Sequence, residues 1–401
     1  MAEIVQEVFN DISLEKDPAL WQNSQQNEFM TNKRINFLAG FEEALFTSEF
    51  DFDKSPSRKN DKLAAALLTK YNVAKTSEQK LKLLGQSMAF GKEDFFDEIH
   101  RKRMKVFLSI NLKKEALKDL LAIREKSDEE CNQCLRLAFD LKYIEDKNLS
   151  KEELYDKLNE CLTKKQEKFK FNNHSYLKHF SDKVSIKQEA GRGRFLVAGE
   201  DISPGELLCQ ERSYSAVLDR AHVGSHCDQC LVRISSCHVA CSNCSLVRYC
   251  SQSCQQEALS SHHQYECMIQ DTLYRAGCGA WILAYRIVAS KSLSFWLAIK
   301  DDLKNHDESL GVLGNFEYDS TDIKTVYNLV THDSAERQPP LLMKESLTSV
   351  FFLRCLQSKA YFGNRVVKAG KLSQEELYIT RLLHHFMRVV YYNSHEVCMK
   401  H

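Results

Sequence analysis

The chain has 401 residues, 43% of them hydrophobic and 27% charged, which is ordinary for a globular protein and long enough for two or three domains. Lysine and arginine together number 55, as do aspartate and glutamate, so no net charge would draw the chain to nucleic acid or to a membrane surface. Neither a signal or transit peptide nor an apolar run of roughly 20 residues is predicted. Most of the 15 cysteines lie in one cluster, which favours the reducing cytoplasm or nucleus.

Residues 1–175 are predicted to form a helical region. Glycine is rare and proline absent from Lys62 to Phe169, and apolar residues recur there at helical spacing. Two amphipathic helices meet near Asn111, and such a pair cannot bury its apolar faces alone, so stacked pairs are expected. The packing positions Phe107, Ala116 and Leu120 resemble a degenerate tetratricopeptide repeat, and an unrelated helical bundle is the alternative.

Short strands are predicted after this region. The first begins at residues 184–186, and the second, residues 195–197, follows the run Gly191-Arg192-Gly193-Arg194. After a turn at Ser203-Pro204-Gly205, a third strand is predicted over residues 206–211. A lone Gly-x-Gly is weak evidence for a ligand, and this one lacks the lysine and hydroxyl residue of a phosphate-binding loop.

The stretch Cys227 to Cys267 has the residue types and spacing to hold two structural zinc ions, each with four thiolate or imidazole ligands. Its ligand pairs are Cys227/Cys230, Cys241/Cys244, Cys250/Cys254 and His263/Cys267. Spacing alone leaves both a sequential and an interleaved assignment open. Cys237 is left over, and His262 is a bystander that could replace His263. Buried free cysteines or disulfides are the alternative interpretation.

Helical patterns return after the cysteine stretch. They cover residues 271–290 and 322–331, and a long one runs from Ser373 through Tyr392. This last helix leads directly into the run Asn393-Ser394-His395-Glu396-Val397.

Two segments resemble known domains. Residues 227–267 resemble a MYND zinc finger, which implies the interleaved assignment: Cys227, Cys230, Cys250 and Cys254 on one ion, and Cys241, Cys244, His263 and Cys267 on the other. The run GRGRFLVAGEDISPGELLCQE resembles the opening hairpin of a SET domain, whose glycine loop lies along S-adenosylmethionine. That resemblance implies cofactor contacts from Ala190, Gly191, Arg192 and Gly193, and from Asn393.

The order of these segments resembles the SET and MYND domain-containing (SMYD) methyltransferases. The resemblance implies an α+β fold: a helical region over 1–175, a first SET part over 182–226, the finger over 227–267 and a helical SET segment over 268–401. It also implies transfer of a methyl group from S-adenosylmethionine to protein lysines, with protein substrates or partner peptides.

The family's Asn-His-Ser-Cys loop and its later tyrosine do not follow Asn393, so we expect the catalytic half to be missing and this chain to show no turnover. No catalytic residue is therefore assigned. The alternative is a non-catalytic, zinc-dependent adaptor or transcriptional regulator. A DNA-binding finger is disfavoured, since residues 227–267 contain two basic residues against three acidic ones.

Overall fold

The computed structural model describes residues 28–40, 58–145, 149–162, 177–189, 193–234, 238–304, 318–331, 339–363 and 372–397. The chain divides into two compact units. We call Asp53–Glu167 with Leu218–Asp271 the finger unit, and Met1–Phe52, Lys168–Val217 and Thr272–His401 the hairpin unit.

The described residues are mainly helical. The helices are α1 Glu28–Gly40, α2 Asp61–Val73, α3 Ser77–Phe90, α4 Phe96–Ser109, α5 Lys113–Ala122, α6 Asp128–Asp140, α7 Lys151–Leu162, α8 Gln252–Ser260, α9 His263–Glu266, α10 Gln270–Arg275, α11 Ile282–Ala289, α12 Leu293–Ala298, α13 Lys300–Lys304, α14 Ile323–Tyr327, α15 Pro339–Ser358 and α16 Gln374–Asn393. The strands are β1 Val184–Glu189, β2 Gly193–Ala198, β3 Val239–Ala240 and β4 Arg248–Tyr249. None of these helices is long and apolar enough to cross a membrane, within the part of the chain that the structure describes.

Local sequence signals explain several helix boundaries. Ser127 and Glu130 form a capping box at the start of α6, and Ser373 and Glu376 form another at the start of α16, each satisfying backbone N–H groups that have no helical partner. Between α4 and α5 the backbone turns at Asn111, whose φ is 59°, a conformation that asparagine tolerates. The helix pair predicted around Asn111 is therefore confirmed.

In the finger unit, α2 packs on α3, α3 on α4 and α4 on α5. Their shared core includes the fully buried Phe107, Ala116 and Leu120, which were the expected packing positions. Ala240 of β3 belongs to the same apolar core, so the finger is packed directly onto the helices. Whether this array is tetratricopeptide-like stays a prediction. Cys134, on α6, lies in this core and belongs to no candidate metal group among the described residues.

The hairpin unit combines a two-stranded antiparallel ribbon with helices. Strands β1 and β2 pair from Val184 with Ala198 to Glu189 with Gly193, so they form the predicted hairpin. Helix α16 packs against α15, α11 and α1. Trp296 and Phe386 are completely buried in this unit, and their ring centroids are 5.7 Å apart.

Three predicted elements differ from the structure. Residues 206–211 are not a strand: only Cys209 forms a bridge, with Phe180, because the facing segment turns at His179, whose φ is 69°. The helix expected over residues 271–290 is broken where Gly277 and Gly279 have φ of 67° and 54°, outside the helical region. The helix expected over residues 322–331 is only α14.

Candidate metal centres and cofactor segment

The finger is built from short turns and strands that bring its cysteines together. At the first cysteine pair the backbone N–H of Leu231 donates to the Cys227 carbonyl at 2.8 Å, in a turn where Leu231 has φ of 60°. Strands β3 and β4 pair antiparallel and lead into α8, whose first turn is capped by Ser251 and carries Cys254. Such turns position ligands where the segment has little apolar core of its own.

Eight cysteine and histidine side chains form two groups in the interleaved arrangement. The first group is Cys227, Cys230, Cys250 and Cys254, and the second is Cys241, Cys244, His263 and Cys267. In the first group the Cys230 and Cys250 sulfurs are 3.5 Å apart, and those of Cys250 and Cys254 are 3.6 Å apart.

In the second group the Cys241 and Cys267 sulfurs are 3.9 Å apart, and the Cys244 sulfur lies 3.6 Å from Nε2 of His263. Tetrahedral zinc with Zn–S bonds of about 2.3 Å requires sulfurs separated by roughly 3.8 Å. Both groups meet this requirement, and their soft donors are those that zinc prefers. The finger therefore has two sites suited to structural zinc.

Hydrogen bonds within these groups shift the pKa values of the ligands in both directions, and they raise those of Cys227, Cys254 and Cys267. A hydrogen bond from Cys227 lowers the pKa of Cys230, and hydrogen bonding with Cys244 lowers that of Cys241. Burial would lower the pKa of His263, but its hydrogen bonds with Cys241 and Cys244 outweigh burial and raise it. Closely spaced thiols thus share protons that zinc would replace on binding.

The two groups differ in their surroundings. In the first group only Cys227 is buried, and Cys230 is exposed. In the second group all four side chains are buried.

Lys59 lies behind the second group. Its Nζ donates to the Ala89 carbonyl at 2.8 Å, and the residue before it, Arg58, pairs in an antiparallel bridge with Cys244. Burial lowers the pKa of Lys59 to about 8, opposed by the negative charges of Cys241, Cys244 and Cys267. A zinc ion with three thiolates and one imidazole carries a net negative charge, which this ammonium group would partly offset.

A buried ion pair connects the helices to the finger. Arg103 and Asp119 are both fully buried, with Nε of Arg103 2.8 Å from Oδ2 of Asp119. Arg103 also donates through Nη2 to the His238 carbonyl at 2.9 Å, just before β3. His100 Nδ1 lies 2.8 Å from the same carboxylate.

The sequence patterns did not predict the roles of Lys59, Arg103 and Asp119, because these residues lie far from the finger along the chain and belong to no motif.

His263, rather than its neighbour His262, belongs to the second group. His262 is directed instead toward Asp228, with Nε2 3.4 Å from Oδ2. Cys237 lies outside the described residues.

The expected cofactor residues are described only in part. Ala190, Gly191 and Arg192 lie outside the described residues, and Gly193 begins β2. Asn393 ends α16, and its Nδ2 donates to the Val330 and Val389 carbonyls at 2.8 and 2.7 Å.

Comparison with known proteins agrees with this geometry. The family model described as MYND finger matches residues 227–267. By fold and ligand set, the finger is therefore a MYND zinc finger.

The chain is also similar to SET and MYND domain-containing proteins. It is 32% identical over 114 residues to protein-lysine N-methyltransferase SMYD4 of Danio rerio, and 33% identical over 119 residues to SMYD4 of Homo sapiens; each match covers 25% of this chain and 15% of the relative. It is 31% identical over 87 residues to a SET and MYND domain-containing protein of Dictyostelium discoideum, covering 21% of this chain and 22% of that protein. These matches relate the chain to the SMYD family, with SMYD4 proteins among the relatives. The chain thus spans only a small part of the length of these relatives, and no solved structure matches it.

Proposed function

We propose that this chain belongs to a zinc-containing protein-lysine N-methyltransferase of the SET and MYND class. In this proposal the β1–β2 hairpin, the backbone at residues 328–330 and Asn393 form one wall of an S-adenosylmethionine site. The observation that carries the proposal is that the hairpin and Asn393, far apart in sequence, both bond to this one backbone segment.

Two side chains donate hydrogen bonds to backbone carbonyls of residues 328–330. Nη2 of Arg194, the residue after Gly193, donates to the Asn328 carbonyl at 3.1 Å. Nδ2 of Asn393 donates to the Val330 carbonyl, two residues further on. The side-chain amide of Asn393 is thereby oriented, and its oxygen is left to accept a hydrogen bond from the ammonium group of the cofactor's amino acid end.

Apolar side chains are exposed around the same segment. Val330 is 56% exposed, and Tyr391 and Tyr392, just before Asn393, are 56% and 40% exposed. Exposed apolar neighbours of this kind often mark a binding surface. They would be covered by the adenosine part of a cofactor or by a protein substrate.

S-adenosylmethionine, when bound, supplies an electrophilic methyl group for direct displacement by a neutral lysine amine. The residues of this wall would orient the cofactor and exclude water from one side of it, since the reaction needs alignment and a desolvated amine. No proton transfer is assigned to them.

Isothermal titration of the full chain with S-adenosylmethionine tests the wall directly. We expect measurable binding that weakens about tenfold in Asn393→Ala, because one hydrogen bond to a charged group is worth about 1.5 kcal/mol. The matched control is Asn132→Ala, an exposed asparagine on α6, which should bind as the unaltered chain does. Absence of binding, or equal binding in both variants, would refute the proposal.

An adaptor function is the second candidate, and the packing of the finger onto the helices in one compact unit favours it. In this function the finger unit binds peptide segments of protein partners, without chemistry. Screening the zinc-loaded full chain against a peptide library distinguishes the two. Binding that survives Asn393→Ala and is lost in Cys244→Ser would favour the adaptor.

We further propose protein partners, and the cytoplasm and nucleus as the location. The described cysteines are all free thiols, as zinc ligation in a reducing compartment requires. Fractionation of cells that express the tagged chain would test the location.

A further inference from the structure

The β3–β4 ribbon of the finger turns one face toward the helices. Ala240 and Arg248 are paired across the two strands, so their side chains lie on the same face. Ala240 belongs to the core of the helices. His238, just before β3, reaches α3, where a methyl group at Gly85 would lie 3.0 Å from Cε1 of its ring. Arg248 therefore lies where the finger meets the helices.

The guanidinium group of Arg248 is half-buried and held in one position. Its Nη1 donates to the Gly224 carbonyl at 2.9 Å. A methyl group at Gly224 would lie 3.8 Å from Cζ of Arg248, so the turn and the guanidinium group are in contact. Nε of Arg248 is buried and has no hydrogen-bond partner among the described residues. The group is thus oriented by the protein while much of its capacity to donate stays unused.

No negative charge accompanies this cation within the described part of the chain. Arg103, in the same unit, has Asp119 as its partner, whereas Arg248 forms no ion pair with a described carboxylate. Burial lowers the pKa of Arg248, and no described carboxylate or thiolate opposes that effect. Lys59, by contrast, lies near three thiolates. Because an arginine stays protonated, the half-buried charge of Arg248 is permanent and costs free energy.

We propose that Arg248 is a docking point for a carboxylate group of a protein partner, at the junction of the finger and the helices. A carboxylate would supply the missing negative charge and accept hydrogen bonds from the guanidinium group. One positive charge matches the single charge of a carboxylate, whereas a phosphate group carries more charge and would need further cations. Docking of this kind does not depend on methyl transfer, and it would give the adaptor function a definite ligand chemistry.

The rest of the finger offers no broad positive field. Residues 227–267 contain two basic residues, Arg233 and Arg248, against three acidic ones. Long-range attraction of an acidic partner is therefore weak, and recognition has to come from one oriented group at short range. Arg233 is exposed, so its guanidinium group keeps its hydration. The two arginines have the same charge and differ in burial, which makes Arg233 the natural comparison.

The test uses the full chain with both zinc sites filled and with nitrogen-15-labelled arginine. Nuclear magnetic resonance follows the Nε–Hε signals of the arginine side chains. We expect acetate to shift the Arg248 signal until it saturates, and we expect no such shift with acetamide, its neutral analogue, or with sodium chloride at equal ionic strength. The signal is assigned by its loss in Arg248→Lys or, if that variant fails to hold its zinc, by its proximity to Gly224 in the unaltered chain.

The matched control is Arg233→Gln, which removes the exposed arginine and should leave saturation at Arg248 unchanged. In the unaltered chain the Arg233 signal should not saturate over the same range of acetate. Absence of a saturable shift at Arg248 would overturn the proposal, and so would an equal response to acetamide or an equal response at Arg233. Saturation by inorganic phosphate at about a tenfold lower concentration than acetate would overturn the assignment to a carboxylate.

Discussion

The two zinc sites of the finger share a geometry and differ in what surrounds them. The Cys227 site has one exposed cysteine and two half-buried ones, whereas every ligand of the Cys241 site is buried. The first site joins nearby turns of the finger, and its Cys230 is exposed to water. The second is continuous with the core of the helices, through Ala240, Lys59 and the Arg103 contact with His238.

The difference shows how one short motif can hold a larger unit together. A zinc ion with four thiolates has a net charge of minus two and is best accommodated near water, whereas a site with a histidine in place of one thiolate has less charge to bury. The more neutral site is the buried one, and a lysine from the helices lies beside it. We therefore expect loss of the second metal to affect the helices, and loss of the first to stay local.

Removing one ligand from each site should give the largest difference. Cys244→Ser should lose the second metal and destabilise the finger unit by several kcal/mol, because metal binding and folding are coupled. Cys230→Ser should lose one metal while α2 to α5 remain folded. Hydrogen exchange of those helices, with a zinc count, measures both effects. Equal exchange in the two variants would show that the sites are equivalent.

Arg103→Met should have the next largest effect. It leaves the carboxylate of Asp119 buried without its guanidinium partner, which costs about 3–5 kcal/mol. Urea unfolding measures the loss. The double variant Arg103→Met/Asp119→Leu should recover part of it, because no unpaired charge remains. No recovery would mean that the contact of Arg103 with the His238 carbonyl matters more than the ion pair.

Lys59→Met should weaken the second site alone. Loss of a half-buried positive charge near three thiolates should cost about 1–2 kcal/mol, or roughly tenfold in the zinc dissociation rate. Cadmium-113 nuclear magnetic resonance follows the two sites separately during competition with a chelator, because their ligand sets differ. Lys62→Met, at an exposed position in α2, is the matched control and should leave both rates unchanged. Faster release from the first site would contradict the assignment of Lys59 to the second.

The smallest effect is expected from pH. Burial lowers the pKa of His100 below its ordinary value of 6.5, so the folded chain keeps this imidazole neutral where the unfolded chain protonates it. The unfolded state then binds more protons, and the free energy of unfolding falls as pH drops below 6.5. Urea titrations of the unaltered chain and of His100→Gln, between pH 7.5 and about 5, should show a shallower fall in the variant. Identical slopes would exclude this contribution.

Local patterns predicted a good part of the fold. The turn at Asn111, the helix after Ser373 and the β1–β2 hairpin were expected from apolar spacing and turn residues, and the structure contains all three. The strand over residues 206–211 was wrong, because a strand needs a partner of matching length and the segment around Phe180 supplies only one bridge. The breaks at Gly277 and Gly279 depend on backbone conformations that helical periodicity does not reveal.

The sequence by itself determined that this protein has a zinc finger of the MYND class, because ligand type and pair spacing are short-range properties of the chain. Only the tertiary structure decided which pairs share an ion, that Lys59 lies near the second site, and that Arg103 donates to the His238 carbonyl. It also decided that His262 faces Asp228 and Glu266 instead of joining its neighbour. These contacts join residues far apart in sequence, and burial gives them their energetic weight. Burial is a property of the folded chain that no local pattern records.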